Sequence, residues 1–300
     1  METGPAAVSD VRGTCQVLAA HLKAGMSDMQ GRAPGNGTMK AMQGVGVDGS
    51  RWDKLPASKH GGGGCGAAMR SMAVGLRFPA PSQLPWLTAY AVESSKISHN
   101  GTLGWFGGFV PAFFTSLAVQ GLPPAEWCAA LVAVAPVVKQ HLVSSARNVE
   151  QVASLAKEID AWSEYGRCMQ LPGFHDAAAT EGAVWRRNAA WCAATPEAAS
   201  ERDEHFAAIT PCKWPGGTGR GACLIALDAL LAAGSDYERL VNCAMLHGGD
   251  NDSTGAIAAA WWGALHGMRG VPDCHTEHLE YRQRMLDAAD ALWHLAQSNA

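Results

Sequence analysis

The sequence predicts an all-α protein whose helices pack as a large irregular bundle around one core. Three observations carry this. Apolar residues recur at helix spacing along most of the chain. No run alternates over a strand's length with β-branched or aromatic enrichment. Alanine is abundant while valine and isoleucine are modest. In order, the helical pattern covers residues 11–26, 67–76, 83–97, 125–144 and 149–162. It resumes over 182–193, 196–209, 222–233, 237–246, 253–267 and 277–297. The uncharged stretch LGWFGGFVPAFFTSLAV (103–119) is slightly short for a membrane span and is interrupted by glycines and Pro111. It reads as a buried core helix packed closely through those glycines. The tryptophan pair Trp261-Trp262 reads as core packing.

Length, charge and cysteines bound the class. Three hundred residues can bury a sizeable core, and 48% hydrophobic with 17% charged residues is a globular composition. A net charge of −4 creates no field for nucleic acid or an anionic membrane. Nine scattered cysteines without a CxxC pair argue against a disulfide framework and a zinc ribbon. They suggest reduced thiols in a cytoplasmic protein. The opening METGPAAVSD shows no basic and apolar leader pattern.

Three glycine-rich loops lie between the helices, at 31–66, 98–104 and 210–221. Long loops in compact domains are often functional. GGGGCGAAMR (61–70) feeds a helix, a geometry in which backbone N–H groups can approach a phosphate, although taken alone a flexible linker is the better reading. It is neither GxGxxG after a strand nor GxxxxGK[ST]. Arg70 reads as a structural ion-pair partner, Cys65 as a small buried thiol, and His99 as a residue satisfied at a helix end. In HGGDNDST (247–254), Asp250 or Asp252 would cap the following helix. Two carboxylates and the Ser253 hydroxyl would also supply hard oxygen ligands for Mg²⁺ or Ca²⁺, but too few for a complete site. On residue chemistry alone the cap is the simpler reading.

Taken together, several blocks resemble the ADP-ribosylglycohydrolase family, and within it the ADP-ribosylarginine hydrolases. They are DMQGRAPGN (28–36), GGCGAAMRSMAVGLRFPAPSQL (63–84), ESSKISHNGTLG (93–104), ALDALLAAG (226–234), HGGDNDSTGAIAAAWWGALHGMRGV (247–271) and LEYRQRM (279–285). The resemblance implies an orthogonal all-α bundle with a two-ion Mg²⁺ site. It implies Asp250, Asp252 and Ser253 as metal ligands. It implies Gly64, Cys65, Gly66 and Met69 as the loop around the ADP-ribose diphosphate, His99 and Gly104 as a second substrate loop, and Arg32 near the distal part of the site. The implied activity is removal of ADP-ribose from arginine on proteins, with ADP-ribose or an ADP-ribosylated protein as partner and the chain acting as a monomer.

Departures accompany it. The family's opening GDA-type segment and its S/T-D-D-T cluster, which carries the other metal ligands and the acid–base carboxylates, have no counterpart, and no Asp-Asp occurs. Ser9-Asp10 is a poor substitute. One bound ion or none is therefore expected, and the catalytic acid–base is unassigned. The alternative is an ADP-ribose-binding chain without turnover, or a fragment. Arg220-Gly221 stands where arginine-specific members carry His-Asp, which leaves linkage preference open. Residues 1–300 are expected to form one domain, N-terminally truncated, with 1–9 disordered. An exposed apolar patch is expected beside the Asp250 helix.

Overall fold

A computed structural model describes residues 10–54, 63–145, 151–174, 191–193 and 195–297. Its first four helices are α1 (Val11–Gly25), α2 (Asn36–Gly44), α3 (Met72–Arg77) and α4 (Leu84–Lys96). The middle of the chain forms α5 (Thr102–Val119), α6 (Trp127–Ala133), α7 (Ala135–Ser144) and α8 (Val152–Cys168). The remainder forms α9 (Pro196–Ile209), α10 (Gly219–Ala233), α11 (Tyr237–Met245), α12 (Asn251–His266), α13 (Cys274–Glu277) and α14 (Arg282–Gln297). Among the described residues there is no strand, only a single antiparallel bridge between Gly64 and Thr218. The all-α expectation holds.

The 103–119 stretch is the centre of the molecule. Helix α5 has fifteen buried residues among its eighteen, and α3, α4, α10 and α12 pack around it. Phe114 lies 5.1–5.6 Å, ring centre to ring centre, from Trp127, Trp162 and Trp261. Each such side chain removes a large apolar area from water, which is what holds the helices together. Gly107 lets α10 approach, because a Cβ there would run into the Gly219 backbone. Pro111 is tolerated inside α5, and its carbonyl accepts from the Thr115 hydroxyl at 2.7 Å.

Several expected elements are divided. The 67–76 pattern is a 3₁₀ turn, Cys65–Arg70, followed by α3. The 125–144 pattern bends by 43° between α6 and α7. Pro136 sits in the first turn of α7, where its missing N–H costs nothing, so it starts a helix and cannot continue one. The 277–297 pattern breaks at Tyr281, whose φ of 58° is left-handed. The 31–66 loop contains α2, which its glycines hid. The helix expected at 182–193 and the disorder expected at 1–9 fall mainly or wholly outside the described residues.

One expectation is overturned. Cys192 and Cys243 form a disulfide, with Cα atoms 5.1 Å apart, tying the segment before α9 to α11. Seven cysteines remain free. The pair is 51 residues apart in sequence and belongs to no motif, so only the fold brings it together.

The apolar surface expected beside the Asp250 helix is present. A groove of about 570 Å³ runs along α12 from Asn251 and Asp252 past Ala256, Ala259 and Gly263. Tyr237, Trp262 and Leu279 complete its lining.

Candidate functional site

Asp250 occupies the N-cap position of α12, yet its side chain makes no capping bond. The backbone does the positioning instead. The Asp250 N–H donates to Pro215 O at 2.8 Å, and its carbonyl accepts from Thr254 N at 3.2 Å. Gly216 has φ +85°, and a Cβ there would lie 3.0 Å from Asp250 O, so this corner requires glycine. Thr254, fully buried, is pinned by Ala244 O at 2.6 Å and His247 Nε2 at 2.8 Å. From α9, Arg202 donates to Asn242 O and Leu246 O, and Asp203 accepts from Gly248 N at 3.0 Å. The turn is thus fixed from both sides.

Freed from capping, the Asp250 carboxylate faces the glycine-rich segment. Its Oδ1 accepts from the Ser253 hydroxyl at 2.9 Å, and its Oδ2 accepts from the Cys65 thiol at 3.0 Å. The Ser253 hydroxyl also lies 3.0 Å from Met69 Sδ. Asp252, exposed, accepts from Ser253 N at 2.8 Å. Cys65 and Asp250, 185 positions apart, and Met69 and Ser253, 184 apart, therefore meet at one point. Burial and then the neighbouring Asp252 carboxylate raise the Asp250 pKa. No Lys, Arg or His among the described residues pairs with either carboxylate. Such a pair of uncompensated charges suits a cation. Burial, reinforced by Asp250, pushes the Cys65 thiol up to about 12, so it is no thiolate nucleophile.

The three glycine-rich loops converge here. Gly64 pairs with Thr218, and Gly219 N donates to Gly63 O at 3.0 Å. A Cβ at Gly63 would stand 3.2 Å from Leu103. A Cβ at Gly66 would stand 2.8 Å from His99 Cε1, so part of the need for glycine is to admit the His99 ring. Gly104 lies buried in the first turn of α5, one residue beyond Leu103.

Arg32 is not brought to this cluster. It forms a surface ion-pair group with Glu280 at 2.5 Å and Asp28 at 3.3 Å, and Tyr281 donates to Asp28 at 2.6 Å. Arg70 differs from its expected role as an ion-pair partner. It is half-buried and donates to Gly66 O, Ser94 O, Ser95 O and the Ser98 hydroxyl, and pairs with no carboxylate among the described residues. Asp10 caps α1, accepting from Gly13 N at 2.7 Å, and so plays no part in the cluster. Pro215 and Thr218 were missed as individuals, although the loop that carries them stands out in the sequence by its glycines.

Mg²⁺ fits this donor set in part. Asp250, Asp252 and Ser253 offer hard oxygens of the right kind. Among the described residues, however, no group of three or more His, Cys, Asp or Glu is arranged to hold a metal ion. Remaining positions would fall to water, substrate or other donors.

The chain is 35% identical over 291 residues to the ADP-ribosylhydrolase ARH1 of Dictyostelium discoideum, covering 91% of this chain and 72% of that protein. It is 26% identical over 269 residues to protein L444 of Acanthamoeba polyphaga mimivirus, spanning about half (49%) of that protein's length. A solved structure titled an ADP-ribosylglycohydrolase-related protein complex superposes with a TM-score of 0.53 over 94% of this chain and 80% of the other, at 18% identity, which speaks for the fold alone. The family model described as ADP-ribosylglycohydrolase matches residues 4–300, nearly the whole chain. On that match and the likeness to the Dictyostelium protein, the chain belongs to the ADP-ribosylglycohydrolase family.

Proposed function

We propose that this protein hydrolyses the bond between ADP-ribose and arginine on modified proteins, with Mg²⁺ held by Asp250, Asp252 and Ser253. One observation supports this above the rest. Asp250 stands at a helix start without capping it, and its carboxylate is turned beside Asp252 toward the Cys65–Met69 loop. When bound, Mg²⁺ would polarise and orient oxygen groups of the substrate or a water. The chain's own residues supply the frame. Gly64 and Gly66 leave room for the His99 ring, and the Pro215 carbonyl fixes the backbone of Asp250. The arginine linkage is supported by the resemblance of the sequence blocks to the arginine-specific members, while Arg220 differs from them.

A second reading, binding of ADP-ribose without turnover, is favoured by the small number of acidic donors. The two readings separate in one assay. Hydrolysis predicts Mg²⁺-dependent release of ADP-ribose from ADP-ribosyl-arginine, abolished in Asp250→Ala. Calorimetric binding of ADP-ribose with no release supports the second reading, and no heat with or without Mg²⁺ refutes both. We take the chain to act as a monomer in the cytoplasm, where Cys192–Cys243 would meet reducing conditions. Sedimentation and thiol titration of protein taken from cells test those points.

A further inference from the structure

Behind the glycine-rich loop lies a short chain of hydrogen bonds that the proposed reaction does not yet use. Arg70, half-buried, donates Nη2 to the Ser98 hydroxyl at 2.7 Å. Its other bonds go to the carbonyls of Gly66, Ser94 and Ser95, which hold the guanidinium in place. Ser98 Oγ lies 2.7 Å from His99 Nδ1. The His99 ring is buried (4% exposed), and its Nε2 edge faces the backbone of Gly37, Gly64 and Gly66.

The direction of each bond follows from what the groups can do. A guanidinium only donates. The Ser98 hydroxyl therefore accepts from Arg70, and its one hydrogen is left for its other partner. Among the described residues that partner is His99 Nδ1. With one lone pair of Ser98 Oγ engaged by Arg70, donation of that hydrogen to Nδ1 uses the hydroxyl fully, and it leaves the proton of a neutral ring on Nε2. Burial, and after it the Arg70 charge, lower the His99 pKa to about 4, which keeps the ring neutral near pH 7.

We propose that Arg70 and Ser98 are positioning residues that lock His99 in the Nε2–H tautomer, so that it presents one fixed donor to an oxygen acceptor held at the Gly64–Gly66 loop. The acceptor class follows from the same chemistry. The site offers a neutral N–H backed by a half-buried positive charge, and hydrogen bonds in series polarise one another. It suits a phosphate or ribosyl oxygen and disfavours a cation. A charged imidazolium would also bind such an oxygen, but it would vary with pH. The neutral, locked donor does not. This inference rests on the ADP-ribose reading only for the identity of the ligand. The tautomer is a property of the free protein.

The test uses the full chain labelled with ¹⁵N-histidine. The expected His99 spectrum has an unprotonated-type Nδ1 and a protonated-type Nε2, unchanged across neutral pH. Ser98→Ala should shift both nitrogens toward an averaged tautomer and weaken ADP-ribose binding by roughly tenfold, the value of one well-placed hydrogen bond to a charged acceptor. Ser98→Thr, which keeps the hydroxyl, should restore both. Removing Arg70 risks the fold, so the serine variants carry the test, with a thermal melt as control. A wild-type spectrum with protonated Nδ1, or a Ser98→Ala spectrum identical to wild type, overturns the proposal. The expected tautomer without any ADP-ribose binding upholds the lock and refutes the ligand.

Discussion

Helices α5 and α14 are both rich in apolar residues, and they end in opposite places. Helix α5 is buried along nearly all of its length, whereas α14 has no buried residue. Trp261, facing α5, is 0% exposed, while Trp293 on α14 is 63% exposed. Helix α12 joins the two worlds. One face carries Ile257, Ala258 and Trp261 into the core, and the other lines the open groove with Ala256, Ala259 and Gly263. Periodicity tells where a helix forms. What covers each of its faces is a property of the assembled molecule.

That contrast can be broken or sharpened by substitution. The largest effect belongs to the tryptophans. Trp261→Ala should cost about 3–5 kcal/mol in chemical denaturation, by losing both transfer energy and packing. Trp293→Ala should stay within about 0.5 kcal/mol. Equal losses would mean that Trp293 on α14 is as well packed as Trp261 on α12. Next are the glycines. Gly107→Ala should cost about 1–3 kcal/mol, because the added methyl would meet the Gly219 backbone. Gly263→Ala has nothing within 4 Å and should stabilise by about 0.5–1 kcal/mol through helix propensity. A destabilising Gly263→Ala, read by the same denaturation, would show that the groove is filled.

The smallest stability effect is expected at the site. The Asp250 pKa is raised in the folded protein, so the native state holds its proton more tightly than the unfolded chain does. Stability therefore falls as pH rises through the unfolded and then the folded pKa, and above both the ionised carboxylate carries a cost. Asp250→Asn removes that cost. Its melting temperature at pH 7 should equal or slightly exceed that of the parent protein, while Mg²⁺ binding by calorimetry is lost. A lower melting temperature with Mg²⁺ binding retained would make Asp250 a structural residue and not a ligand.

The α-helical class was readable because most segments keep a single period. The breaks were harder to see. Pro136 and Tyr281 interrupt patterns that look continuous, since apolar spacing carries no record of a bend. Helix α2 was hidden by glycines that compose it. At the site, Cys65, Met69, Asp250 and Ser253 were each singled out in the sequence, and the fold brings these four together. The backbone anchor of Asp250 was not legible, because Pro215 O is an atom that every residue possesses. The same holds for Arg70, whose partners are mostly carbonyls. Cys192–Cys243 and Arg32–Glu280 depend on long-range contacts, the second across 248 positions.

The bond from the Cys65 thiol to Asp250 has a practical consequence. A sulfur held as a neutral thiol, with its pKa near 12, alkylates slowly. Any event that draws the carboxylate away or opens the loop releases that sulfur and quickens its modification. Peptide mapping of iodoacetamide uptake at Cys65, set against exposed Cys168 and Cys274 as internal standards, thus turns the site into its own clock. The rate reports how often the two halves of the cluster part.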